Sequence, residues 1–316
     1  MQGHEVSGIS LNPPQRSLFV QANLEGIFTN DFRVDIRNRS DLTKAIHKVD
    51  PDVIVHLAAQ PLVRAAYKYP LETFETNVIG TLNVLKATQD LGKLRAALII
   101  TTDKVYKNHN SLREYVETDD LGGDDPYSAS KAACDIAAQS WIKSFTTTPI
   151  AIARAGNVIG GGDWATDRII PDLVSAYSTH QLPTVRFPDA IRPWQHVLDC
   201  LNGYTKLINF MLETKTAGEW NFGPHLDQKY TVSDLVELFA AEWGIYGETW
   251  RREETKQPEE SGYLLLNSDK ARKLLKWNEV LTFQNSIATT AKWYREALKG
   301  NSAYQTRKEI GDFLAS

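Results

Sequence analysis

The sequence predicts an α/β fold, a doubly wound parallel sheet over residues 1–155, followed by a smaller region over 156–316 with room for one late strand returning to the sheet. Three observations predict it. Short aliphatic runs alternate with stretches of three- and four-residue apolar spacing. Several of those runs are apolar throughout, as strands covered on both faces are. Beyond Arg154 the chain changes to a glycine-rich loop, 156–163, and to segments carrying Pro and Trp.

Taken in order, Phe32 to Ile36 reads as a strand, and Ser40 to Val49 as a helix capped by Ser40 or Asp41. Asp52 to Leu57 is a near-continuous apolar strand. Leu71, Phe74, Val78, Leu82 and Leu85 then recur at helical spacing, with Val84, Ala87 and Leu91 on another side, which predicts one long helix apolar on more than one face. Ala96 to Thr102 is the next buried strand, Tyr127 to Phe145 a helix entered through Pro126, and Ile150 to Arg154 a further strand. Such alternation gives right-handed βαβ units. The charge cluster from Glu253 to Glu260 around Pro258 reads as a solvated loop.

Composition narrows the class. With 42% hydrophobic and 23% charged residues over 316 positions, the chain is an ordinary globular one, neither disordered nor collagen-like. Its two cysteines, Cys134 and Cys200, form no metal or cystine pattern, and a reducing cytoplasm suits them. No apolar run reaches membrane-spanning length, and the opening residues lack the order of a secretory signal. A net charge of −4 disfavours nonspecific nucleic-acid binding. No histidine stands in a metal-ligand spacing, so no metal is expected.

Two clusters carry chemistry. Tyr127-Ser128-Ala129-Ser130-Lys131 places a phenol and an amine four residues apart on one helix face, where the ammonium would lower the tyrosine pKa toward that of a usable base. Thr101-Thr102-Asp103-Lys104 ends a central strand, at the sheet edge where parallel α/β proteins bind ligands. A hydroxyl, a carboxylate and an amine thus converge on the tyrosine. Each cluster alone also reads blandly, as a helix start or a capped strand end. His56 to Gln60 closes an earlier strand with small residues that admit a ligand to the backbone, while His56 itself reads as a hydrogen-bonded core histidine.

Together, Asp35-Ile36-Arg37, the run His56 to Gln60, Asn77, TTDK, YSASK and Arg154 to Gly160 resemble, in order, the extended short-chain dehydrogenase/reductase superfamily, and within it the nucleotide-sugar 4,6-dehydratases. The resemblance implies a Rossmann-like sheet, bound NAD and a nucleotide-sugar substrate, in a cytoplasmic enzyme of deoxysugar synthesis. It further implies that Tyr127 with Lys131 deprotonates the sugar 4-hydroxyl, Thr102 binds the C4 oxygen, and Asp103 protonates the departing 6-hydroxyl. Lys104 stands where related enzymes carry a glutamate base for C5, so it is either that base or a positional cation. The Asp103-Lys104 pair separates a dehydratase from the 4-epimerases of the same superfamily. Asp35, Ile36, Leu57, Ala58, Ala59, Asn77, Thr101 and Arg154 would join Tyr127 and Lys131 around NAD. Gln60, Asn157, Arg168, Arg186, Arg192 and Tyr263 would face the substrate. The helices near 71–91 and 127–145 would form a homodimer interface, with core packing as the alternative.

One departure stands out. The superfamily opens with a strand and a glycine-rich phosphate turn, whereas His4 to Ser10 here resembles the family's second strand, so about thirty residues are missing relative to that pattern. Two readings follow: an incomplete chain, or a variant with impaired cofactor binding. With the latter goes a third functional possibility, a non-catalytic nucleotide-sugar binder. Ser10 also replaces the acidic residue that many relatives use for the adenosine ribose.

Overall fold

Apolar residues on adjacent strands sort by alternation onto two faces, and that sorting builds the fold. The computed structural model of the chain describes residues 3–225, 229–255 and 262–316. Strands β3 (Val53–His56), β4 (Ala96–Ile100), β5 (Ile150–Ala155) and β9 (Gly218–Phe222) form a parallel sheet in that order. Ala97, Ile99, Ile150 and Ile152 face α5 (Gly80–Thr88) and α6 (Pro126–Phe145) through Leu85, Ala138 and Trp141. Ala96, Leu98, Ala151 and Ala153 face α8 (Val197–Thr214) and α10 (Asp269–Leu275) through Cys200, Leu207, Met211 and Ala271. Continuous apolar strands are what a helix–sheet–helix sandwich requires. Its lower layer and last strand come from beyond residue 155.

Strands β1 (Ser7–Ser10) and β2 (Asn30–Arg33) form a separate parallel pair, joined through the short helix α1 (Leu18–Gln21). Ile9, Val34 and Ile54 all rest on an apolar cluster of Leu42 and Ile46, from α2 (Arg39–Val49), with Val84 and Ala87 of α5. One helical layer therefore carries both β1 and β3, yet the two are not paired.

Several boundaries differ from the sequence reading. The strand expected at Phe32–Ile36 ends at Arg33, because Asp35 turns the chain by accepting from the Arg37 N–H at 2.9 Å. The N-cap of α2 is Asn38, not Ser40 or Asp41; its side-chain oxygen accepts from the Asp41 N–H at 3.2 Å. The long helix is α3 (Val63–Lys68), then α4 (Pro70–Phe74), a π turn at Glu75–Ile79, and α5. The charge cluster at 253–260 falls largely outside the described residues.

A second core lies to one side of the sheet. It joins β6 (Val158–Ile159), α7 (Ile169–Ser178), β7 (Thr184–Val185), β8 (Gln195–His196), α9 (Val232–Trp243), β10 (Arg251–Arg252) and α11 (Phe283–Leu298), with α12 (Ser302–Ala315) against α11. Leu173, Tyr177, Phe239, Ile287 and Trp293 are its centre.

Candidate active site

The start of α6 explains the placement of its tyrosine. Asp125 caps the helix, accepting from the main-chain N–H groups of Tyr127 and Ser128 at 2.9 and 3.0 Å, and Pro126 supplies the first helical residue, whose N–H would be unpaired anyway. Tyr127 and Lys131 then project from one face. The Lys131 ammonium donates to the Ile100 carbonyl at 2.8 Å, at the last residue of β4. Burial pushes the Lys131 pKa down, against the pull of Cys134 and Asp135.

The second cluster leaves β4 at Thr101. Thr102 caps a single 3₁₀ turn, Asp103–Val105, accepting from the Lys104 N–H. Its hydroxyl donates to Asp103 Oδ1 at 2.9 Å, and the Lys104 ammonium lies 3.9 Å from the same oxygen. Asp103 is 1% exposed and its Oδ2 has no hydrogen-bond partner among the described residues. A buried carboxylate oxygen without a partner at a cavity wall calls for an explanation, and proton exchange with a bound guest is one.

These residues border a cavity of about 420 Å³. Thr101, Thr102, Asp103, Lys104 and Tyr127 form one wall, and Asn157, Arg168, Arg186 and Arg192 line it from the second core. Arg192 is buried and donates to the carbonyls of Ile191 and Gly262. Burial pushes the Tyr127 pKa up to about 12, with the Asp103 charge adding to the rise and a hydrogen bond to Thr102 and the Arg168 charge opposing it. Lys131, whose ammonium is fastened to Ile100, is not among the groups that lower it, contrary to the expectation from the sequence.

Other expected site residues sit elsewhere. Arg154 is 1% exposed and grips Asp135 with two nitrogens, so its guanidinium faces the interior and not the ligand edge. Asn77, also buried, stands in the π turn; its amide accepts from the Gln60 N–H at 2.8 Å and donates to the Gln60 carbonyl and to Ser130, so it ties the loop after β3 to α6. The Gln60 side chain is likewise used internally, on Thr73 and Leu62. Tyr263 does not line the cavity but bridges Ile191. His56 is buried, hydrogen-bonds Thr81 at 2.9 Å, and has its pKa pushed down to about 3 by burial.

One lining residue is not among those the sequence singles out. Arg64 of α3 reaches Asp167 Oδ1 at 2.8 Å, and Arg186 approaches the same oxygen at 3.6 Å. One carboxylate thus stands between guanidinium groups from the two halves of the molecule.

The residues suit the two ends of a nicotinamide dinucleotide. Tyr127, Lys131 and Thr101 stand at the C-terminal edge of β4, beside the exposed Leu57-Ala58 backbone after β3. At the other end of the edge, Asp35 is held by Arg37, whose hydrogen bonds lower its pKa. Among the described residues no glycine-rich strand-to-helix turn stands between β1 and β3. No group of three metal-ligating side chains occurs among them either, and no helix among them is long and apolar enough to cross a membrane.

A parallel sheet with a tyrosine–lysine helix and a polar strand end at its ligand edge defines a class of nucleotide-cofactor enzymes, and the chain belongs to one such family: the NAD dependent epimerase/dehydratase family matches residues 1–223. More particularly, the chain is 35% identical over 326 aligned residues to the CDP-glucose 4,6-dehydratase of Salmonella typhimurium, covering 99% of this chain and 90% of that one. To the dTDP-glucose 4,6-dehydratase of Neisseria gonorrhoeae it is 28% identical, over 83% and 80% of the two chains. The fold matches that of the dTDP-glucose 4,6-dehydratase of Bacillus anthracis solved with NAD, with a TM-score of 0.80, 20% identity and coverage of 95% and 90%. It equally matches UDP-glucuronic acid 4-epimerase of Bacillus cereus, with a TM-score of 0.79, 22% identity and coverage of 92% and 91%.

Proposed function

We propose that the chain is an NAD-dependent hydro-lyase that converts CDP-glucose to its 4-keto-6-deoxy form. The observation that carries this reading is Asp103: a buried carboxylate with one oxygen open, on the same cavity wall as Tyr127 and Thr102. A 4-epimerase needs only oxidation and return at C4, and gives such an acid no task. The likeness to a CDP-glucose 4,6-dehydratase over nearly the whole chain supports it and supplies the base, cytosine.

NAD, when bound, supplies a reversible hydride acceptor, so C4 is oxidised and the hydride is returned at C6. The protein's own residues handle protons and position. Tyr127 takes the 4-hydroxyl proton while Thr102 hydrogen-bonds the C4 oxygen. The resulting ketone acidifies the C5 hydrogen; Lys104, beside Asp103, takes that proton as a neutral amine and returns it to C5 when the hydride arrives at C6. Asp103 protonates the 6-hydroxyl as water leaves. Arg192 and Arg186, with Arg168, meet the diphosphate, where guanidinium forks match phosphate oxygens. Asn157, whose amide oxygen is buried without a partner among the described residues, meets the sugar edge.

The enzyme works as a homodimer in the cytoplasm, making a precursor for deoxysugars such as those of lipopolysaccharide O-antigen. Leu71, Phe74 and Ile79 on the 70–88 helix, with Ile136 on α6, are exposed apolar side chains of the right kind for such an interface. Sedimentation should give a mass of two chains. Function is tested by incubation with NAD and, separately, with CDP-, dTDP-, GDP- and UDP-glucose, following 4-keto product in alkali. CDP-glucose should be turned over best. Preference for another base, a C4 epimer without 4-keto product, or nucleotide-sugar binding without turnover overturns the reading.

A further inference from the structure

A buried ion pair outside the cavity joins every element that carries the reacting groups. Asp135 lies on α6 one turn beyond Lys131 and two beyond Tyr127, hence on the same face. Its two oxygens accept four bonds: from Arg154 Nε and Nη2 at 2.8 Å each, from the Thr101 hydroxyl at 3.0 Å and from Gln139 at 2.8 Å. Arg154, on β5, uses its remaining nitrogen on the Tyr106 hydroxyl at 2.9 Å and on the Glu117 carbonyl at 3.0 Å. The Tyr106 hydroxyl in turn donates to Asn221 on β9 at 2.6 Å, and its ring stacks on Tyr115.

Thr102, Asp103 and Lys104 therefore sit between two anchors, Thr101 held by Asp135 and Tyr106 held by Arg154. The helix bearing Tyr127 and Lys131 is held by the same pair. Both side chains of the pair are at most 1% exposed. Stability alone is a poor explanation, since a well-packed apolar pair commonly does as well or better than a buried ion pair. What an apolar pair lacks is direction: a bidentate guanidinium–carboxylate contact with every remaining site filled fixes three segments in one geometry.

We propose that Asp135 and Tyr106 are positioning residues: through Arg154 they hold the Thr102–Lys104 segment and the Tyr127–Lys131 helix at their working separation. Misplacement by an ångström of groups that must meet one substrate can lower turnover a hundredfold without weakening binding. The catalytic part of this inference rests on the dehydratase reading; the mechanical part does not.

Tyr106→Phe removes one hydroxyl and keeps the ring on Tyr115. Asp135→Asn keeps the shape and one accepting oxygen, turns the other acceptor into a donor and removes the charge, and Asp135→Ala removes the side-chain contacts altogether. With the nucleotide sugar that the unaltered protein turns over, kcat should fall about tenfold in Tyr106→Phe and about a hundredfold in Asp135→Ala, with partial recovery in Asp135→Asn and KM within about twofold throughout. Independently of turnover, amide hydrogen exchange in 101–106 should quicken about tenfold in Tyr106→Phe while the amides of β4 and β5 stay protected. Unchanged exchange in that segment overturns the clamp whether or not the chain is a dehydratase. Quickened exchange with unchanged kcat, or with a rise confined to KM, overturns its catalytic part and leaves the dehydratase reading standing. Loss of folding in Asp135→Ala is answered by Tyr106→Phe, which alone decides.

Discussion

The Lys131 ammonium is fastened to the Ile100 carbonyl at 2.8 Å, so the helix that carries Tyr127 is moored to the end of the strand that leads into Thr102 and Asp103. Lys131 thereby acts on geometry. Lys131→Met should lower turnover about a hundredfold or more, and Tyr127→Phe should lower it by 10²- to 10⁴-fold, the ordinary range for one acid–base group. Because burial raises the Tyr127 pKa to about 12, its base form grows as pH rises, and initial oxidation should quicken with pH through the neutral range. Stopped-flow detection of reduced nicotinamide measures this step; a rate flat in pH would remove Tyr127 as the base.

Asp103→Asn separates the two halves of the reaction. The amide preserves the contact with Thr102 and lacks the proton that the departing hydroxyl needs. Elimination should slow about a hundredfold while oxidation at C4 stays within a few-fold. Reduced nicotinamide should then accumulate transiently after mixing with substrate. Equal loss of both steps would contradict the acid role.

Much of this site was legible in the sequence, for physical reasons. Pro126 marks a helix start, and a four-residue spacing from Tyr127 to Lys131 fixes a shared face whatever the tertiary context. Thr101 to Lys104 could be placed because a run as apolar as Ala96 to Ile100 has to be a covered strand, and its end has to be the ligand edge. Roles that depend on side-chain direction were not legible. Arg154 and Asn77 point inward, and only their buried partners Asp135 and Ser130, distant in sequence, decide that. Arg64 meets Asp167 across 103 residues of chain, a contact that no periodicity encodes.

That last contact has a measurable consequence. The Asp167 carboxylate offsets two guanidinium groups at the cavity, Arg64 and Arg186. In Asp167→Asn the cavity keeps its positive charges and loses the internal anion, so a diphosphate ligand should bind several-fold tighter at low salt. The gain should shrink as ionic strength rises, because these side chains are partly exposed. Arg186→Met should move affinity the other way. Calorimetric titration with CDP at two salt concentrations tests both; weaker binding in Asp167→Asn would mean that the carboxylate shapes the loop and does not compete with phosphate.

Two histidines predict acid lability away from the site. Burial holds His196 at a pKa of about 4 and His56 at about 3, against 6.5 for an exposed imidazole. Each stays neutral in the fold while the unfolded chain takes up a proton, so stability declines as pH falls below 6.5 and goes on declining toward the folded value. At pH 5 the expected loss is about 2 kcal/mol per histidine. His196→Asn keeps an acceptor for the Leu198 N–H, which His196 Nδ1 provides at 3.3 Å. Its stability, measured by denaturant unfolding, should lie below that of the unaltered protein at pH 7 and close on it by about 2 kcal/mol at pH 5. A difference independent of pH would show that His196 takes up its proton as readily in the fold as in the unfolded chain, so that burial does not hold it neutral.

The glycine-rich loop after β6 is explained by packing more than by phosphate binding. A Cβ at Gly161 would lie 2.1 Å from the indole of Trp293, and one at Gly160 2.5 Å from Val197. Trp293 is 1% exposed at the centre of the second core, with its N–H donating to Thr306 at 2.8 Å, so it has nowhere to retreat. Gly161→Ala should therefore destabilise the chain by about 1–3 kcal/mol, the usual result of forcing an extra methyl group into a filled core. The loop also leads into Asp163 and Arg168 at the cavity, so the variant should raise KM for the nucleotide sugar more than it lowers kcat. Thermal unfolding and steady-state kinetics together decide: unchanged stability would mean that the loop shifts to admit the methyl, and Gly161 would then owe its identity to something other than contact with Trp293.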